Sequence, residues 1–125
     1  MESKKKKILV LEDEKPLARA LELKLVHEGF EVITSSNGEG VISLIEKNNF
    51  SLIICDMLMP KFDGFQVLQT LSDKKLKIPV IVLTNLSQSE DEKRVRALGA
   101  SDFYIKSDTP ITTVVERIKQ ILETT

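Results

Sequence analysis

The chain has 125 residues, which corresponds to one domain and is enough to bury a substantial core. Its 18 basic and 19 acidic residues nearly cancel, so its overall charge does not favour binding to nucleic acid or to a membrane. The single cysteine, Cys55, excludes an internal disulfide and is typical of proteins in a reducing compartment.

The N-terminal stretch is basic but lacks the features of a targeting signal. Lysines occupy positions 4–7, and only four apolar residues separate them from Glu12, far fewer than a signal peptide requires. No run approaches the roughly 18 apolar residues of a membrane span. We therefore expect a solvated tail over residues 1–6, a single domain over residues 7–123 and a cytoplasmic protein without membrane contact.

Five short apolar runs alternate with five helical patterns along the chain. Continuous runs of branched apolar residues are typical of parallel strands that are buried on both faces. The predicted strands cover residues 8–11, 32–33, 52–55, 80–83 and 103–105. Strict alternation of strands and helices predicts a doubly wound α/β sheet with helices on both faces.

The helical patterns differ in how they begin and in how much apolar surface they carry. Leucine recurs every four residues in the first helix, and the last helix has an apolar stripe with a 3.6-residue period. Capping-box pairs predict the starts of the second helix, at Ser36 and Glu39, and the fourth, at Ser87 and Glu90. Because the only clear apolar anchors of the fourth helix are Val95 and Leu98, we expect it to be the most weakly held.

Five polar residues directly follow the predicted strands, and they suggest a binding site. Ligands of doubly wound sheets bind beyond the carboxyl ends of the strands, where these side chains would meet. They are Glu12, Asp13, Asp56, Thr84 and Lys106. Taken singly, each has an ordinary interpretation, such as a helix start, a helix cap or a solvated surface group. Their joint position at the ends of four strands favours a site.

The three carboxylates would repel one another by about 3 kcal/mol per pair at this edge of the sheet. A bound cation would relieve the repulsion, and oxygen ligands favour Mg2+. An aspartate beside Mg2+, with an ammonium and a hydroxyl group, has the chemistry needed to accept a phosphoryl group. The sequence therefore predicts a site for a divalent cation and a phosphoryl group.

Several separated motifs, in order along nearly the whole chain, resemble one family. They are ILVLEDE at 8–14, DMLMPKFDG at 56–64, PVIVLT at 79–84 and GASDFYIK at 99–106. These segments resemble the receiver domain of bacterial two-component response regulators, and the chain is similar to the stand-alone chemotaxis regulator. The resemblance implies a flavodoxin-like fold with strand order 2-1-3-4-5.

The resemblance also implies a role for each site residue. Asp56 would be the phosphoacceptor, while Thr84 and Lys106 would hold the phosphoryl oxygens. The implied Mg2+ ligands are Asp56, Asp13, Glu12 mostly through water, and the backbone carbonyl of Leu58. The implied switch residues are Thr84 and Phe103.

The resemblance further implies a signalling phosphoacceptor that catalyses only its own phosphorylation and slow dephosphorylation. Its phosphodonor would be a sensor histidine kinase or a histidine phosphotransfer protein. A downstream protein target, or a second copy of the chain, would bind the face formed by the fourth helix, fifth strand and fifth helix. No direct nucleic-acid binding is expected.

Three positions differ from the common family pattern. Ser107 follows Lys106 where proline is usual, Asn85 follows Thr84 where a small residue is frequent, and Asp108 adds a negative charge near the site. We expect these differences to alter the kinetics of phosphorylation. They also leave open an adaptor that binds proteins without being phosphorylated.

Two other functions on this kind of fold fit the residues less well. A flavin or nucleotide binder needs a phosphate-binding loop after the first strand, whereas residues 12–15 read EDEK. An aspartate-nucleophile phosphohydrolase carries a second acid two residues after the nucleophile, and that position is Leu58.

Overall fold

The computed structural model describes residues 5–86 and 88–123 and contains the predicted alternation of strands and helices. The strands are β1 (Lys7–Leu11), β2 (Glu31–Ser35), β3 (Leu52–Cys55), β4 (Val80–Thr84) and β5 (Asp102–Ile105). The helices are α1 (Lys15–His27), α2 (Val41–Lys47), α3 (Gly64–Asp73), α4 (Ser89–Ala97) and α5 (Ile111–Glu123). A short 3-10 turn, Lys106–Asp108, joins β5 to α5.

The five strands form one parallel sheet in the order β2-β1-β3-β4-β5, which confirms the predicted fold. Leu11 at the end of β1 pairs with Ser35 on one side and with Cys55 on the other. On the far side of the sheet, Thr84 pairs with Ile105. The residues that follow these strands therefore lie along one edge.

The sheet separates two apolar cores, because successive side chains of a strand point to opposite faces. On one face, alternate residues of β1, β3 and β4 pack with the buried side chains of α1 and α5. On the other face, the remaining residues of these strands pack with α2, α3 and the single buried residue of α4, Val95. Cys55 belongs to this second core and is fully buried.

The starts of the helices differ from the capping predictions. Ser36 and Glu39 do not cap α2, which begins at Val41 after Gly40 in a left-handed conformation, with no side-chain cap. The Asn37 carboxamide instead accepts a hydrogen bond from the amide of Glu39 at 2.8 Å, so these residues form a turn. The competing turn chemistry therefore displaces the start of the helix.

A capping box does occur at the start of α3, where the sequence interpretation did not place one. The Asp63 carboxylate accepts from the amide of Gln66, and the Gln66 side chain accepts from the amide of Asp63. Ser87 lies outside the described residues, and the N-cap of α4 is Gln88, which makes no side-chain capping bond.

None of the helices in the described ranges is long and apolar enough to cross a membrane. Of the expected N-terminal tail, Lys5 and Lys6 precede β1, and residues 1–4 lie outside the described part. The domain boundaries at 7 and 123 remain a prediction.

Candidate functional site

The three predicted carboxylates meet at the carboxyl edge of the sheet. One carboxylate oxygen from each of Glu12, Asp13 and Asp56 lies within 4.8 Å of the others. Glu12 and Asp56 are each only 3% exposed, whereas Asp13 is open to solvent. The sequence prediction that these residues share a site is thus consistent with the fold.

Backbone hydrogen bonds fix the two buried acids relative to the sheet. The amide of Glu12 donates to the carbonyl of Ser35 at 3.0 Å, and the amide of Asp56 donates to the carbonyl of Leu11 at 3.0 Å. These bonds extend the parallel ladder one residue beyond each strand. The sheet therefore sets the positions of both side chains.

Lys106 supplies the positive charge of the cluster. Its Nζ donates to Asp56 Oδ2 at 2.7 Å, to Glu12 Oε2 at 2.8 Å and to Glu14 Oε2 at 2.5 Å. Burial by itself lowers the pKa of Lys106, but the hydrogen bonds to Asp56, Glu12 and Glu14 outweigh burial and raise it. The ammonium group therefore stays charged at neutral pH.

The Glu12 carboxyl group has a perturbed protonation equilibrium. Burial raises its pKa above the ordinary value, against the opposing effects of Lys106 and of the backbone amide of Glu14. That amide donates to Glu12 Oε2 at 3.0 Å. The neighbouring charge of Asp56 also raises the pKa of Glu12.

Asp56 is held from two sides. Its Oδ1 accepts from the amide of Leu58 at 3.1 Å, while its Oδ2 accepts from Lys106. The Leu58 side chain is exposed, whereas the preceding Met57 is fully buried. The carboxylate is thus oriented by the loop that follows β3 as well as by the lysine.

Thr84 and Phe103 lie on the strands that flank this cluster. Thr84 is fully buried at the end of β4, and its Oγ1 accepts from the amide of Leu86 at 3.4 Å. Phe103 pairs with Val82 in the sheet and packs, partly buried, against the core that includes Val95. Thr84 is therefore at the predicted edge, but its hydrogen bond is to the following loop and not to the acids.

Ser107 lies in the short turn that directly follows Lys106. No cis peptide bond occurs among the described residues, and residues 106–108 form the 3-10 turn. Lys106 reaches the acids from this arrangement. Asn85 and Asp108 are both exposed near the edge of the site.

Glu14 is a partner of Lys106 that the sequence interpretation missed. It stands at the N-cap of α1, with its side chain about half exposed, and it makes an ion pair with the lysine. The acidic run at 12–14 was the available signal, but only the first two acids were assigned to the site.

The donor set of this edge suits a hard divalent cation. The three convergent ligands are carboxylate oxygens, which Mg2+ prefers over nitrogen and sulfur. The nearby Cys55 thiol lies in the core, and burial raises its pKa, so it remains neutral. The residues present therefore fit Mg2+ better than a thiophilic metal.

Comparison with known proteins agrees with the geometry. Residues 8–120 match the family model for the response regulator receiver domain. The chain is 40% identical over 122 residues to the probable transcriptional regulator ycf27 of Porphyra purpurea, covering 98% of this chain and 49% of that relative. The chain thus spans about half the length of that relative.

Solved structures show the same fold. The receiver domain of the Francisella response regulator 1452 is similar with a TM-score of 0.89 and 27% identity, over 95% of this chain and 98% of that one. The BeF3-activated DrrB receiver domain is similar with a TM-score of 0.85 and 25% identity, over 96% of this chain and 99% of that one. By its sequence, its sheet order and its acidic edge, the chain belongs to the response regulator receiver domain family.

Proposed function

We propose that Asp56 accepts a phosphoryl group from a phosphohistidine of a sensor histidine kinase or a histidine phosphotransfer protein. The observation that carries this proposal is the pairing of the buried Asp56 carboxylate with Lys106 at 2.7 Å, beside two further acids. In this cluster the Asp56 carboxylate, the proposed nucleophile, lies beside both the positive charge of Lys106 and the negative charges of Glu12 and Asp13.

Mg2+ would be held by the Asp13 carboxylate, by Glu12 mostly through water, by Asp56 and by the backbone carbonyl of Leu58. When bound, the cation supplies charge neutralisation for the phosphoryl oxygens. The support for this assignment is the convergence of the three carboxylates within 4.8 Å.

In the proposed transfer, an oxygen of Asp56 forms a bond to phosphorus as the P–N bond of the phosphohistidine breaks. The bonding electrons return to the imidazole nitrogen of the donor. Lys106 holds a phosphoryl oxygen with its ammonium group, and the Thr84 hydroxyl donates to another. Most of the acceleration then comes from positioning and electrostatics.

The chain acts as a signalling phosphoacceptor and not as a true enzyme, in keeping with its family. The residue two positions after Asp56 is the exposed Leu58, which offers no acid to protonate a leaving group or activate water. We propose that the phosphorylated state consequently persists long enough to be read by a partner.

The partner surface is proposed to be the α4-β5-α5 face. Thr84 and Phe103 connect this face to the site, and phosphorylation would favour the conformation in which Thr84 approaches the phosphate and Phe103 turns inward. A downstream protein or a second copy of the chain would bind there, and the domain itself would not contact nucleic acid.

The test is phosphorylation with acetyl phosphate and Mg2+, followed by intact-mass measurement. We expect one phosphate adduct on the wild type, none on Asp56→Asn, and an unchanged adduct on Asp73→Asn, which removes an exposed acid of α3. An adduct that survives Asp56→Asn contradicts the assignment. A folded wild type that takes up no phosphate would instead favour the phosphorylation-independent adaptor.

A further inference from the structure

We propose that Gly38, in the connection between β2 and α2, is a positioning residue for the phosphoacceptor site. It holds the segment 57–63, here named the acceptor loop, against the rest of the domain. This inference rests on the function proposed for Asp56, and it assigns a role to a residue that touches none of the reacting groups.

The first observation is a close backbone contact that only glycine permits. A Cβ atom at position 38 would lie 1.7 Å from the carbonyl oxygen of Phe62 and 2.5 Å from its carbonyl carbon and its Cβ. Real contacts are never this short, and the clashing atoms are mostly backbone, so a flexible side chain cannot yield. Gly38 itself is buried.

The second observation is a hydrogen bond in the same place. The amide of Gly38 donates to the carbonyl of Pro60 at 3.2 Å, and the amide of Phe62 donates to the same carbonyl at 2.8 Å. Gly38 thus supplies both the space for Phe62 and a donor for Pro60. The β2–α2 and β3–α3 connections are therefore joined by backbone atoms.

The conformation of the acceptor loop indicates why it needs such support. Lys61 adopts φ 72°, a left-handed conformation that is unfavourable for a residue with a side chain. Such residues persist only where their surroundings hold them. The ion pair between Lys61 and Glu39, at 2.8 Å, is exposed and contributes little, so the buried backbone contact with Gly38 restrains the loop more than this ion pair does.

The acceptor loop transmits this restraint to the site. At its start, the amide of Leu58 donates to Asp56 Oδ1, and at its end the amide of Gly64 donates to the carbonyl of Met57 at 3.2 Å. The loop is therefore closed on itself, and displacement of Phe62 and Pro60 shifts Leu58. The Leu58 amide orients the acceptor, and its carbonyl is a proposed Mg2+ ligand.

The decisive comparison is between Gly38→Ala and Gly29→Ala. Gly29 has φ +96° and nothing within 4 Å of its added Cβ, so alanine there strains the turn before β2 without touching the acceptor loop. Both variants lose stability, but only Gly38→Ala is expected to disturb the site. A purely structural role for Gly38 would make the two variants behave alike.

The experiment measures amide chemical shifts, Mg2+ affinity and the rate of phosphorylation by acetyl phosphate in the wild type and both variants. For Gly38→Ala we expect chemical-shift changes across residues 57–63. We also expect the Mg2+ affinity and the phosphorylation rate each to fall by about 10- to 100-fold, as for a displacement near 1 Å. Gly29→Ala should match the wild type in the site measurements. An equal Mg2+ affinity and an equal phosphorylation rate in the two variants would overturn the proposal.

The outcomes separate this proposal from the function on which it rests. If the wild type neither binds Mg2+ nor takes up phosphate, the proposed function fails, while the shifts across residues 57–63 still test the restraint. If Gly38→Ala does not fold, hydrogen exchange of the wild-type Gly38 amide tests the restraint on the acceptor loop instead. We expect that amide to be protected by its bond to Pro60, and exchange at the rate of an open loop would refute the restraint.

Discussion

Charge balance at Lys106 is the central feature of the site at the residue scale. A single ammonium group contacts Asp56, Glu12 and Glu14, and the first two of these acids are almost fully buried. Removing one partner of a buried ion pair costs more than the pair itself is worth, because the remaining charge stays desolvated. We therefore expect the lysine to influence both stability and cation binding.

Lys106→Met should lower the free energy of unfolding by about 3 kcal/mol in the absence of divalent cations. Added Mg2+ should then stabilise the variant more than the wild type, because the cation no longer competes with the ammonium for the same oxygens. Urea unfolding with and without Mg2+ measures both effects.

The matched control for this prediction is Lys119→Met. Lys119 makes an ion pair with Glu28 at 3.0 Å, far from the acidic edge, with both side chains partly buried. Its gain in stability from Mg2+ should equal that of the wild type. An equal Mg2+ gain in Lys106→Met would show that the lysine does not compete with the cation.

At the scale of elements, α4 is held differently from the other helices. Its only buried residue is Val95, whereas α3 and α5 each bury four residues. A cation–π contact, with the Arg94 guanidinium 4.0 Å from the centre of the Phe65 ring, links it to α3. A helix with so few apolar contacts is suited to local rearrangement.

Amides of α4 should therefore exchange with solvent faster than those of α5, through local opening and not through global unfolding. Arg94→Ala should accelerate the exchange of α4 amides by a further factor of about 2 to 5, because it removes one exposed cation–π contact. Hydrogen exchange followed by NMR measures this.

Lys93→Ala, an exposed substitution on the same helix, serves as the control because it changes helix propensity similarly. Its α4 amides should exchange as in the wild type. Protection of α4 equal to that of β3 would contradict the prediction.

At the scale of the whole molecule, the sheet order connects the site to one side of the domain. Thr84 is the last residue of β4, Lys106 directly follows β5, and α4 precedes β5 in the chain. Phe103 lies in β5, two residues before the end of that strand, and packs against the core that holds Val95. We therefore expect a change at the acidic edge to reach the α4-β5-α5 face.

Mg2+ with beryllofluoride, a phosphoryl mimic, should shift NMR resonances throughout the α4-β5-α5 face as well as at the acidic edge. The reason is that the bound anion favours the conformation with Thr84 drawn toward Asp56. Asp56→Asn should abolish the changes. Shifts confined to α1 would contradict the proposed partner surface.

The sequence by itself determined the architecture and the grouping of most residues at the acidic edge. Branched apolar runs alternating with helical patterns suffice for a doubly wound sheet, and this topology brings the residues after β1, β3, β4 and β5 to one edge. Glu12, Asp13, Asp56 and Lys106 could be grouped for that reason. The motifs then supplied the family.

Tertiary structure decided the contacts that depend on packing between separate connections of the chain. The bond of Glu14 to Lys106 spans 92 positions, and the approach of Phe62 to Gly38 depends on how two loops meet. The start of α2 likewise moved from the Ser36 pair to Val41, because Gly40 and the preceding turn set the backbone there. Periodicity reports which face of an element is buried, whereas these features depend on which loop lies against which.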